Sequence, residues 1–122
     1  MGGGAELSTL TDFRLASPGA SVAFVQARMG VAPGWGGARR LVELVGRRRA
    51  LLLLLTSAKL GSQEGADIGY FDAVLGGGEA VSLAEQWLLG GNNRNIFDKN
   101  TDNFRWWFLD RFVHVFSQCN SA

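Results

Sequence analysis

Three glycines and a carboxylate at the start of the chain are the residues best suited to chemistry. Gly2, Gly3 and Gly4 are followed by Ala5 and Glu6. If the glycines begin a helix, their backbone N–H groups have no intrahelical acceptor and carry partial positive charge. Because glycine lets a ligand approach closely, an oxyanion could bind there, and the nearby carboxylate could help to move a proton. A triple glycine by itself is equally consistent with a flexible terminus.

The composition is that of one small globular domain. The chain has 122 residues, of which 47% are hydrophobic and 19% are charged, and 17 are glycine. This length suffices for a modest core. Twelve basic residues oppose eleven acidic ones, for a formal net charge of +1. Such a balance gives no electrostatic reason to bind nucleic acid or an anionic membrane, so we expect neither partner.

One cysteine and one histidine restrict the metal and covalent chemistry of the chain. Cys119 alone forms no intrachain disulfide, which favours a reducing, intracellular setting, and no motif gives it a role. His114 alone argues against a histidine zinc site and a histidine–serine relay, and we interpret it as a solvated helix residue. We therefore expect no metal site and no resident cofactor.

Apolar spacing and turn residues predict short helices and strands that follow one another closely. Arg47, Arg48 and Arg49 precede an apolar run that ends at Leu55, far short of the roughly 20 residues of a membrane span, so it is interpreted as a buried helix. The predicted helices are 3–10, 38–45, 47–56, a short helix that Ser62 caps and that runs through Asp67, and 82–88. The predicted strands are 12–16, 22–25 and 71–75.

The order of several motifs points to a family. They are Gly2-Gly3-Gly4-Ala5-Glu6-Leu7, Asp12-Phe13-Arg14, Phe24, the run from Met29 to Gly37, the run from Arg40 to Gly46, and the run from Ala66 to Val74. This order resembles the enoyl-CoA hydratase/isomerase (crotonase) family over about residues 2–89. Within that family, Phe24-Val25, Met29-Gly30 and Trp35-Gly36-Gly37 look most like the ethylmalonyl-CoA decarboxylase branch.

The resemblance implies an α/β fold class, a partial crotonase-like ββα fold that lacks its N-terminal strands. Residues 1–89 would form this partial domain, and residues 90–122 a divergent tail with no likeness to the family. We predict that the tail is helical because its aromatic and apolar residues recur at helical spacing. These are Phe104, Trp107, Phe108, Phe112, Val115 and Phe116.

The resemblance also implies catalytic roles. In the family, two backbone N–H groups polarise an acyl-CoA thioester, and one of them falls on Gly3 here. Glu6 matches the first of the two carboxylates that hydratases use, whereas Gln26 occupies the second position and cannot act as a base. Decarboxylation needs less acid–base chemistry, because the oxyanion hole carries most of the stabilisation of the enolate. Gln26 would then position the departing carboxylate or a proton-donating water, or be a spectator.

Trp35 has two interpretations. It lines the acyl pocket, or it packs beneath its loop as a large hydrophobic side chain, and the second is favoured.

The expected function is that of an ethylmalonyl-CoA or methylmalonyl-CoA decarboxylase, with this chain too short to catalyse alone. Two alternatives stay open: a non-catalytic isoform that binds a crotonase-fold partner, and a hydratase or isomerase of the same family. The substrate would be a coenzyme A thioester, bound in the complete form of the enzyme. Family members are trimers or hexamers, which is doubtful for this chain, and the expected location is the cytosol.

Overall fold

Helices and short strands alternate along the chain. The computed structural model describes residues 1–76, 78–90 and 113–116, and at 89–90 and 113–116 it describes the backbone alone. The helices are α1 (Gly3–Ser8), the 3-10 helix Gln26–Met29, α2 (Gly37–Val45), α3 (Arg47–Thr56), α4 (Ser62–Asp67) and α5 (Ala80–Gly90). The strands are β1 (Phe13–Ala16), β2 (Ser21–Val22), β3 (Leu60–Gly61), β4 (Ala73–Val74) and β5 (Val113–Phe116).

Strand β1 lies at the centre of a parallel three-stranded sheet of order β4-β1-β5. Leu15 pairs with Ala73 on one side and with Val115 on the other. Leu15 and Ala16 are fully buried, as expected for a parallel strand covered on both faces. The other two strands, β2 and β3, form a separate antiparallel pair.

A buried arginine joins β1 to the segment before β4. The Arg14 guanidinium donates from Nε to the carbonyl of Tyr70 at 2.8 Å and forms an ion pair of 3.7 Å with Asp72. The Asp72 carboxylate also accepts from the backbone N–H of Arg14 at 2.7 Å. These bonds compensate the desolvation of a charge that is only 4% exposed.

The core is built around three aromatic side chains in edge-to-face contact. The ring centroids of Phe24 and Tyr70 lie 6.1 Å apart, and those of Tyr70 and Phe71 lie 5.0 Å apart. Leu41 and Val45 of α2 add to this core, and Leu44 packs against it. Sheet and helices thus share one hydrophobic centre.

Helix α3 contradicts the prediction of a buried helix. Ala50 and Leu53 are buried, but Leu51, Leu52 and Leu55 are 39%, 62% and 74% exposed. The helix packs against α2 and the 3-10 helix on one side, so leucines on its other side stay in contact with solvent. Five consecutive leucines show that a helix is apolar, but not how much of it is covered.

Other boundaries differ in smaller ways. The predicted strand 22–25 is wrong at its end, because β2 stops at Val22 and Phe24 is buried without strand pairing. The predicted strand 71–75 shortens to the two residues of β4. The predicted helical tail is wrong at residues 113–116, which include His114 and form β5. The rest of that stripe, at 104–112, and Cys119 lie outside the described residues, and the boundary at residue 89 stays a prediction.

Helix α5 covers one side of the sheet near β1. Ala84 and Leu88 are buried, and the ring of Trp87 meets that of Phe13 edge to face at 5.7 Å between centroids. In the described parts of the chain, no helix has both the length and the apolar character needed to cross a membrane.

Tyr70 connects the core to α1 through a buried hydroxyl. Its Oη lies 2.6 Å from Oγ of Ser8, and Ser8 Oγ can donate to the carbonyl of Ala5 at 2.7 Å. Either hydroxyl can donate in the first bond, and Oη of Tyr70 also lies 3.5 Å from the carbonyl of Ala5. Burial raises the pKa of Tyr70 from 10.0, while the hydrogen bond with Ser8 and the Arg14 charge act in the opposite direction.

We predict that stability falls at alkaline pH through Tyr70, the single tyrosine of the chain. Because its pKa is raised above 10.0 in the folded state, the unfolded state loses the proton first, and the free energy of unfolding decreases as pH rises through and above 10.0. Tyrosinate absorbance and urea unfolding at several pH values measure both effects. In Tyr70→Phe this part of the pH dependence should disappear; an absorbance midpoint at or below 10.0 would contradict the prediction.

Candidate functional site

The three glycines begin α1, so the interpretation as a flexible terminus is wrong. Gly2 caps the helix at φ 61°, a left-handed conformation that favours glycine, and its N–H donates to the carbonyl of Ala23 at 3.0 Å. Gly3 and Gly4 follow in the first turn, where an N–H has no carbonyl one turn earlier to bind. Both residues are exposed at the start of the helix.

The carboxylate of Glu6 is the centre of the site. Glu6 is 3% exposed and accepts hydrogen bonds on both oxygens. Oε1 accepts from the backbone N–H of Trp35 at 2.6 Å and from that of Gly37 at 3.1 Å. Oε2 accepts from the side-chain Nε2 of Gln26 at 3.3 Å. Three donors from two separate segments of the chain therefore replace the water that the buried carboxylate has lost.

Glu6 also acts as an N-terminal cap for α2. The N-cap residue Gly36, at φ 73°, has no side chain to bind the first amides of that helix. A carboxylate at this end is favoured both by the free N–H groups and by the helix dipole. The fit requires glycine at position 37, because a Cβ on Gly37 would overlap Cγ of Glu6.

Gln26 presents a free acceptor beside this carboxylate. It is 6% exposed, and its Oε1 has no hydrogen-bond partner among the described residues. The amide orientation follows from its neighbour, since reversing it would bring two acceptors, Gln26 Oε1 and Glu6 Oε2, face to face. An unpaired buried acceptor costs about 1 to 3 kcal/mol, so a water molecule or another hydrogen-bond donor is expected to bind it.

Trp35 does not pack beneath its loop, and that prediction is wrong. Its side chain is 60% exposed, and its ring lies 3.4 Å from the position that a Cβ on Gly3 would occupy. Its carbonyl accepts from Nη2 of Arg40 at 2.6 Å, and Nε of Arg40 donates to Oγ1 of Thr9 at 2.9 Å. These bonds and the one to Glu6 hold the backbone of Trp35 against α1.

The structure brings the three predicted site residues together. Glu6 and Gln26 are in direct contact, and Gly3 lies one turn before Glu6 on α1, beside the indole of Trp35. The sequence analysis missed the amides of Trp35 and Gly37, although the Gly36-Gly37 pair directly before a helix was a signal for an anion partner. Within the described ranges, no three His, Cys, Asp or Glu side chains are grouped as a metal site would require.

Comparison with known proteins identifies the family. A family model described as enoyl-CoA hydratase/isomerase matches residues 1–104. The chain belongs to this family. A solved structure of an enoyl-CoA hydratase subunit from Geobacillus kaustophilus is 40% identical and superposes with a TM-score of 0.57, covering 60% of this chain and 28% of its own. The crotonase-like fold class is thereby confirmed, with this chain covering part of the fold.

Two of the most similar curated relatives are named ethylmalonyl-CoA decarboxylase. The Xenopus laevis protein is 44% identical over 91 residues, which are 73% of this chain and 30% of the relative. The Danio rerio protein is 47% identical over 92 residues, which are 72% of this chain and 30% of the relative. This chain thus spans about 30% of the length of the curated relatives that it matches.

We predict that Glu6→Ala destabilises the chain by about 2 to 4 kcal/mol, because it leaves the buried amide of Gly37 and the N–H of Gln26 without their acceptor. Glu43→Ala is the matched control, since Glu43 pairs with Arg39 on the exposed face of α2 at 3.0 Å and such pairs contribute little. Urea unfolding of both variants measures the difference. Similar losses in the two would contradict the anchoring role of Glu6.

Proposed function

We propose that this chain carries one side of an acyl-CoA decarboxylase site that acts on a malonyl-type thioester such as ethylmalonyl-CoA or methylmalonyl-CoA. The observation that carries the proposal is the pair formed by Glu6 and Gln26. A neutral amide with a free acceptor stands where hydration would use a second carboxylate. The names of the curated relatives support the same activity.

The reaction begins with the carbonyl oxygen of the thioester bound to the backbone N–H of Gly3. The bond between the α-carbon and the carboxylate breaks, CO₂ leaves, and the electron pair moves into an enolate whose oxygen takes the negative charge. The N–H of Gly3 stabilises this oxyanion at the positive end of α1. The indole of Trp35, next to Gly3, would form an apolar wall that keeps water from the charge.

Gln26 then positions the water molecule that protonates the enolate. Its Nε2 is held by Glu6, so the group that it offers to the site is the acceptor Oε1. An acceptor binds a water molecule through one hydrogen and leaves the second hydrogen for the α-carbon of the enolate, while the resulting hydroxide is released to solvent. An anionic carboxylate would bind the second N–H of Nε2 instead. The free Oε1 favours the role with water.

Glu6 is a positioning residue in this scheme. Both of its oxygens accept bonds from N–H donors, so neither has a hydrogen to give to substrate in this arrangement. It orients Gln26 on one side and the backbone of Trp35 on the other.

The test compares variants in a full-length enzyme that contains this chain. Gln26→Ala should lower kcat for CO₂ release from ethylmalonyl-CoA by about tenfold to a hundredfold, because the proton-donating water loses its anchor. Gln63→Ala is the matched control, as Gln63 lies on the exposed surface of α4 with its amide bound to Asp67. Unchanged turnover in Gln26→Ala would remove Gln26 from the mechanism.

The same assay separates decarboxylation from the alternative of hydration. The full-length enzyme should release CO₂ from the malonyl-type thioester and should not hydrate an enoyl-CoA, because Gln26 cannot act as a base. Efficient hydration would favour the hydratase alternative. The 122-residue chain should release no CO₂ above background, since the resemblance places a single oxyanion donor on it. Clear turnover by this chain would show that it is sufficient alone.

A further inference from the structure

The two edges of β1 are occupied by very different parts of the chain. On one side β4 belongs to the segment that matches the family, which ends at residue 104. On the other side β5, at Val113–Phe116, lies beyond that match. The non-family strand nevertheless pairs with every residue of β1, from Phe13 with Val113 to Ala16 with Phe116. A segment from outside the family match therefore completes the central strand.

The hydrogen bonds of β1 alternate between these two edges. The N–H and the carbonyl of Arg14 are both used on the β4 side, by the Asp72 carboxylate at 2.7 Å and the Asp72 N–H at 2.8 Å. The carbonyl of Ala16 accepts from Leu75 on the same side at 2.7 Å. Since successive residues of a strand direct these groups to opposite edges, those of Phe13 and Leu15 face β5.

The edge that faces β5 is costly to leave empty. Leu15 is fully buried, and each buried backbone group without a partner costs about 1 to 3 kcal/mol. A row of unpaired N–H and C=O groups is also a template on which another chain can add a strand. A second copy whose β1 edge is also empty presents the same row of unpaired groups, so the two emptied edges can pair with each other.

We propose that the outer edge of β1 is a strand-docking surface, that the chain's own β5 fills it, and that this contact prevents strand addition by a second copy. Helix α5 lies beside both strands, because it contacts β5 and its Trp87 packs on Phe13 of β1. The proposal concerns assembly and does not depend on the proposed decarboxylase activity.

The register between β1 and β5 identifies one variant that disrupts the pairing and one that serves as its control. Parallel pairing of Arg14 with His114 directs the backbone N–H of His114 toward β1, and alternation then directs that of Val115 away from it. His114→Pro removes a donor from the ladder, whereas Val115→Pro removes an outward-facing donor, which an edge strand tolerates. Both variants place one proline in the same strand, so Val115→Pro is the matched control.

Hydrogen exchange of the full chain and size-exclusion chromatography with light scattering test the proposal. In His114→Pro the Leu15 amide should exchange at least about tenfold faster than in the unmodified chain, as expected for the loss of about 1.4 kcal/mol of protection. The variant should also form dimers or larger species at concentrations where the unmodified chain and Val115→Pro are monomers. Equal exchange at Leu15 in both proline variants, or a monomeric His114→Pro chain, would overturn the proposal.

A peptide covers the case in which His114→Pro unfolds the whole chain, which would appear as faster exchange in α2 and α3 as well. A synthetic peptide of residues 111–118 should restore protection at Leu15 and the monomeric state, because it supplies the missing strand. The same peptide with proline at the His114 position is its control. Failure of the unmodified peptide to restore either property, or equal rescue by the proline peptide, would count against strand docking on β1.

Discussion

The burial of the Glu6 carboxylate is the constraint on which the rest of the site depends. A charge removed from water must be surrounded by donors, and here they come from the loop before α2, the first residue of α2, and the 3-10 helix. The contact also requires glycine at position 37 and holds Trp35 beside α1. One carboxylate therefore holds two segments that lie twenty or more residues away from it in the sequence.

The same contact gives Gln26 its chemical character. An amide offers both a donor and an acceptor, and which of the two reaches a ligand depends on its surroundings. Because one N–H of Nε2 is bound by Glu6, the amide is oriented with Oε1 away from the carboxylate, and Oε1 has no partner among the described residues. A negative neighbour thus fixes the orientation of the Gln26 amide, which the proposed role with water requires. The fold exerts this control without placing a second charge in the site.

Much of the secondary structure could be predicted from local patterns. Helix α3 has the predicted bounds, and α2 and α4 each begin one residue earlier than predicted, since apolar spacing and the glycine between α2 and α3 are local signals. Strands were less predictable, as β2 and β4 are two residues long and exist through pairing. The prediction that Leu52 and Leu55 are buried was wrong, because composition does not say which sides of a helix have neighbours.

By itself, the sequence determined the five α-helices of the described residues to within a few positions, the glycines at the turns and, through the family resemblance, the grouping of Gly3, Glu6 and Gln26. These depend on local backbone preferences and on motifs in linear order. The tertiary structure alone decided that Glu6 binds the amides of Trp35 and Gly37, that Oε1 of Gln26 is free, and that β5 pairs with β1. Each of these joins residues twenty or more positions apart, where hydrogen-bond geometry and burial outweigh any local preference.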